Sequence, residues 1–308
     1  MPSKNKDSGF TLIELSIVLV IIGLIVGGVL VGMDLVNAAR VRAQISQIQQ
    51  YQTAVNTFKL KYGYIPGDIP DPYAQQAGFL ARGSDRGQGD GNGVLEGYVS
   101  GSGITRCGIT NYDHSGRLQE GGETVTFWAD LTRAGLIDGS FTAAASPTTD
   151  FSSSPITETS SPALKDIFPP AKINESIYVI VWSGGYCLND GLNYFGISGI
   201  TDSGSTLTNP SASKRLSVIQ AYNIDNKIDD GLPQSGSIFA NIMGIFWAGN
   251  YDSITRGAVT SSTNPSVSTQ SSSTTCYDNG NVANATEQYS VGQNSGNGLN
   301  CYLSFKFQ

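Results

Sequence analysis

Residues 8–33 read SGFTLIELSIVLVIIGLIVGGVLVGM, and this stretch decides how the rest of the chain is read. A polar leader carrying Lys4 and Lys6 ends at Gly9. An apolar run follows directly, from Phe10 to Met33, with Glu14 as its only charge. About 20 apolar residues cross a bilayer as a helix, so the run is long enough. A carboxylate inside such a run costs roughly 2.5–3.5 kcal/mol on insertion scales for comparable charges, and a residue kept at that cost marks function. A secretory signal is cut after its apolar region, at a small-residue site. Here the polar leader and its glycine come first, so the cut is expected before the apolar region and the membrane segment stays on the mature protein.

Beyond the apolar run, from Asp34 to Lys61, Ile45, Ile48, Tyr51, Val55 and Phe58 recur at three- and four-residue steps, the spacing of one helix face. Phe10 to Lys61 then makes one rod about 78 Å long, its first half for lipid or a filament core and its second half for packing on a globular domain. No proline interrupts it; Gly23, Gly27, Gly28 and Gly32 either loosen it or are ordinary membrane-helix composition. Gly63, Pro66 and Pro70 end it.

Residues 8–62 closely resemble the N-terminal region of the type IV pilin and pseudopilin family. In that family a prepilin peptidase of the inner membrane cuts after the glycine of a Gly-Phe-Thr-Leu-Ile-Glu motif and methylates the new terminal phenylalanine. The resemblance implies cleavage after Gly9, methylation of Phe10, and Glu14 as the charge that registers one subunit against the next. It implies a leader at 1–9, a membrane or filament-core helix at 10–33, its amphipathic continuation at 34–62 and a globular head at 63–308. The implied fold class is α+β, a long N-terminal helix packed on a head with an antiparallel sheet and large loops. The implied partners are the peptidase, other pilin or pseudopilin subunits, the inner-membrane assembly platform and membrane lipid. Many pilins carry a helix-loosening proline late in the apolar segment, and this chain departs from them there.

The leader's positive charges place the N-terminus in the cytoplasm and the head across the membrane; the resemblance implies a bacterial inner membrane with the head in the periplasm, before entry into a pilus or pseudopilus. A formal net charge of -7 and no basic stripe weigh against a nucleic-acid surface. The four cysteines, Cys107, Cys187, Cys276 and Cys301, suit an oxidising compartment, and their wide spacing suggests neither zinc nor a thioredoxin-like site. Four cysteines allow three pairings, and four free thiols are a further alternative. The resemblance favours Cys276–Cys301, since many pilins close their C-terminal region with a disulfide, and leaves Cys107–Cys187 as the remainder.

In the head, residues 123–137 (ETVTFWADLTRAGLI) predict a short helix burying Phe127, Trp128, Leu131 and Leu136. Residues 176–182 and 238–247 predict strands, with further strands at 192–197 and 302–307. Residues 143–162 and 259–275, rich in Ser and Thr, predict exposed loops. The span between Cys276 and Cys301 is expected to close as a clasp over the end of the sheet.

The lone histidine, His114, sits among loop residues, and no HExxH, GxSxG or phosphate-loop sequence is present, so no enzyme is expected. Two acidic segments offer oxygen ligands. Asp85, Asp90, Asn92 and Glu96 lie in a glycine-rich loop whose alternating spacing fits calcium. Asp225, Asp229 and Asp230 lie in the phrase IDNKIDDGLP, expected as an acidic turn before a strand. Asx-turn chemistry, in which Asp and Asn bond their own backbone and shape a loop, is the plainer reading of both segments. The expected function is structural: a pilin or pseudopilin subunit, minor or specialised because its head is long. The alternative is a filament-mounted or membrane-anchored adhesin whose loops bind a ligand.

Overall fold

The computed structural model describes residues 11–84, 87–97, 105–106, 109–110, 121–142, 146, 157, 159, 161–183, 192–199, 216–240, 271–273, 275–282 and 284–308. Helix α1, Leu12–Tyr62, is one uninterrupted element of 51 residues. It starts where Thr11 and Glu14 cap each other and stops where Gly63 turns left-handed at φ 82°. At about 1.5 Å per residue the helix is about 77 Å long.

Its two halves have opposite surroundings. Every large apolar side chain from Leu12 to Val36 is at least 50% exposed, a surface no soluble monomer shows to water. From Val41 onward a stripe turns inward, with Ile48, Tyr51, Ala54, Val55 and Phe58 buried as the periodicity requires.

The head is built on an antiparallel sheet. Its strands are β1 (Pro170–Ala171), β2 (Asn174–Ser183), β3 (Asn193–Ser198), β4 (Ile238–Phe239) and β5 (Leu303–Lys306). The spatial order is β1-β2-β3-β5-β4, so β5 lies between β3 and β4. Val181 and Phe305 both register opposite Phe195, which fixes one face of the sheet. Against that face lies α2, Glu123–Arg133. Trp128 of α2 packs edge-on at 5.0 Å from Tyr51 of α1, and Phe127 and Trp128 both reach Phe195. On the other face Trp182 stacks on Tyr194 at 4.6 Å and donates its indole N–H to Ser304 Oγ.

Three local expectations need correction. Helix α2 ends at Arg133, not Ile137, because the chain turns at Ala134–Gly135; Leu136 and Ile137 then pack only partly buried against the core. The strand expected over 238–247 is a strand at Ile238–Phe239, and residues 241–250 fall outside the described residues. The acidic phrase at 223–233 is not a loop throughout. Its first residues complete a third helix, α3, Val218–Ile228, capped at its start by Ser217 and Gln220. The strands expected at 176–182, 192–197 and 302–307 are present as β2, β3 and β5.

Candidate functional sites

At the membrane end, Gly9 and Phe10 lie outside the described residues. Glu14 sits in the first turn of α1. Its Oε2 accepts from Thr11 N and from Thr11 Oγ1, both at 2.8 Å, while Glu14 N donates to Thr11 Oγ1 at 3.3 Å. This is a reciprocal capping box, and it places the carboxylate at the positive end of the helix. The carboxylate therefore has local partners before any other subunit arrives.

A second site forms where the chain leaves α1. Gly67 has φ +88°, and a Cβ there would lie 2.5 Å from the carbonyl oxygen of Glu123, so glycine lets this segment lie directly on α2. The close approach brings Asp68 beside Glu123, and the loop 87–97 folds over both. Asp68 accepts from Gly91 N at 2.6 Å and from Gly93 N at 2.7 Å. Glu123 accepts from Gly89 N at 2.8 Å and from Glu96 N at 2.7 Å. The same loop is fixed to the sheet: Asn193 accepts from Leu95 N and donates to Gly93 O, and Ser183 Oγ donates to Leu95 O.

One carboxylate oxygen from each of Asp68, Asp90 and Glu123 lies within 4.8 Å of the other two, with Asp68 and Glu123 buried and Asp90 exposed. Burial pushes the Asp68 carboxyl up to about 7, opposed by its backbone donors. Glu123 is raised well above the ordinary range, first by burial and then by the neighbouring Asp68 charge. Hard oxygen donors of this kind suit calcium. Of the expected set, Asp90 is the member that joins this group. Asp85 lies outside the described residues. Asn92 donates its amide to Asp90 and Glu96, and its carbonyl accepts from Val94 N, which is Asx-turn geometry. Sequence reading missed Asp68 and Glu123, which lie 55 residues apart and meet only through the Gly67 contact.

Beside this junction Arg82 and Asp130 form a fully buried ion pair at 2.5 Å, and Asp130 also accepts from Gly67 N at 2.7 Å. Burial raises the Asp130 carboxyl while the Arg82 charge opposes the shift.

Asp225, Asp229 and Asp230 lie together, with one oxygen of each within 4.8 Å of the others. Each carboxylate nonetheless has a local partner. Asp225, buried on α3, accepts from Tyr289 OH at 2.8 Å and from Gly231 N at 3.2 Å; Asp229 accepts from Ile238 N at 2.9 Å and Asp230 from Leu232 N at 2.8 Å. Burial raises Asp225 to about 7, opposed by the Tyr289 and Gly231 hydrogen bonds.

Cys276 and Cys301 are joined by a disulfide, both buried. The span they close lies against α3 rather than over the end of the sheet: Tyr289 bonds Asp225 and packs against Tyr222, and Leu299–Cys301 pairs with Leu216–Ser217. Cys107, Cys187 and His114 lie outside the described residues.

The N-terminal end of α1 thus combines a capped helix whose large apolar side chains are exposed with a carboxylate in its first turn, and it is long and apolar enough to cross a membrane. Residues 4–30 match the family model described as the prokaryotic N-terminal methylation motif, the prepilin signal of type IV pilins and pseudopilins. No curated protein and no solved structure matches the chain.

Proposed function

We propose that this protein is a non-enzymatic structural subunit of a type IV pilus or a type II secretion pseudopilus, of the minor or specialised kind. A prepilin peptidase removes the leader after Gly9 and methylates Phe10. The subunit waits in the inner membrane with its head in the periplasm, and the assembly platform then moves α1 from lipid into a bundle of neighbouring helices. The observation that carries this reading is the continuous α1 bearing the methylation motif, whose half from Leu12 to Val36 makes no cover of its own. Lipid covers it before assembly and other helices cover it afterwards.

Glu14 is the registering charge. After cleavage the α-amino group of Phe10 is a cation at the start of an apolar helix, and a neighbouring Glu14 neutralises it where either charge alone is costly to bury. Glu14→Gln keeps the shape and removes the charge. Membrane insertion and cleavage are expected to stay normal while cross-linked incorporation into filaments falls sharply. Mass spectrometry of the mature protein should give methylated Phe10 as the terminus; an intact Met1 leader in peptidase-competent cells would overturn the reading.

A further inference from the structure

The hydrophobic seam between α1 and the head is strong but does not by itself specify one alignment. Apolar contact is non-directional. A helix held only by Val41, Ile48, Ala54, Val55 and Phe58 has neighbouring alignments that bury comparable area. A slip of one turn keeps the stripe facing the head and moves the head by about 5 Å along the helix. Two polar side chains lie within this apolar stripe. Gln44 and Gln47 are 0% and 5% exposed, on the face of α1 that meets the β1–β2 turn.

Every polar atom of the two amides is used. Gln44 Oε1 accepts from Ile173 N at 3.1 Å, and Gln44 Nε2 donates to Gln47 Oε1 at 3.0 Å. Gln47 Oε1 also accepts from Lys172 N at 3.0 Å, and Gln47 Nε2 donates to Pro170 O at 2.9 Å and to Tyr51 OH at 3.0 Å. The two glutamines thus bond three backbone groups of the turn that opens the sheet. These bonds are directional, and a slip of one turn would break all three and leave the buried N–H of Ile173 unpaired.

We propose that Gln44 and Gln47 are positioning residues for assembly. They fix the axial and rotational register of the head on α1, and so determine which head surfaces meet the next subunit once the helices pack. This rests on the filament reading above, but the register itself is a property of the single subunit and is measured without a filament.

Nitroxide labels at Thr53 on α1 and Glu175 at the start of β2, both exposed, report that register in the detergent-solubilised full chain. The wild type should give one narrow distance. Gln44→Leu with Gln47→Leu should give a broad or multiple distribution while the Cys276–Cys301 linkage is kept. Filament incorporation should fall severalfold, since one unsatisfied buried backbone group changes the balance between alignments by about fivefold or more. Ile48→Ala is the control for lost stability alone: it opens a cavity in the same seam, so it should lower the melting temperature yet keep the single distance. If the double variant does not fold, Gln47→Met, which keeps side-chain length, carries the same two assays. A narrow wild-type distance in the glutamine variants would overturn the proposal, as would equal broadening in Ile48→Ala. Broadening together with wild-type incorporation would refute the assembly role. Failure of the wild type to enter any filament would overturn the filament reading and leave the register result standing.

Discussion

Replacing Cys276 and Cys301 together by Ala removes the link that closes the span over α3. The two residues are 25 apart, and in the chain-entropy model closing such a loop stabilises by ~3.5 kcal/mol at 25 °C. In a domain of 150–250 residues each kcal/mol moves the melting temperature by about 2–4 °C, so a fall of about 10 °C is expected. Alanine avoids burying new hydroxyls where the cysteines are 2% and 0% exposed. The loss should be local as well as global. Tyr289, freed from its tether, should leave Asp225 and Tyr222, so protease cuts should appear first within 277–300 and amide exchange should rise along α3. Calorimetry of the solubilised chain and timed proteolysis with peptide mapping measure both effects. A melting temperature within about 2 °C of wild type, a loss under ~1 kcal/mol, would refute the reasoning by showing that packing of Tyr277 and Tyr289 holds the span unaided. Linkage of either cysteine to Cys107 in non-reduced maps of the wild type would do the same.

Asp225, raised by burial to about 7 from an ordinary 3.8, gives stability that is whole below the unfolded value and is lost as pH rises through 7. The wild-type melting temperature should therefore fall between about pH 4 and pH 7 and level off above, and Asp225→Asn should shallow that fall; an unchanged slope would assign the pH dependence elsewhere, with Asp68, shifted the same way, the next to test. Calcium should raise the melting temperature if Asp68, Asp90 and Glu123 hold it, by binding the folded state alone, and Asp90→Ala or Glu123→Gln should remove the rise. The same response in those variants would return the loop to Asx-turn chemistry.

Elements with a strong periodic signal were legible in the sequence. Helix α1 and its stop at Gly63 follow from apolar spacing and a left-handed cap, and β2 from its β-branched run. Helix α3 is hard to see in the sequence because the acidic residues from Asp225 onward carry the signature of a turn. The signal was present upstream: Ser217 and Gln220 have capping-box spacing, and Val218, Ala221 and Ile224 recur at helical steps. The Asp68–Glu123 junction could not be read from spacing at all. Its members meet because a glycine lets two backbones touch, which is a property of the folded chain and not of either local segment. Gln44 and Gln47 carry no sequence signal for a related reason, since an amide in an apolar stripe looks like an interruption until its backbone partners are known.

Strand β5 has a consequence for the order of events in the cell. It lies beside β3, yet Phe305 follows its partner Phe195 by 110 positions (305 − 195), and α1 precedes both. Closing so long a loop costs entropy that is regained only when the strand docks, so sheet completion is a late step. The inner stripe of α1 has partners earlier in chain order, Trp128 of α2 and the β1–β2 turn at Lys172 and Ile173, so β5 completes a seam that can begin to form before it. A soluble fragment starting after Gly63 would lack the eight buried α1 residues and leave the sheet without one of its covers, whereas one starting near Asp34 would keep them.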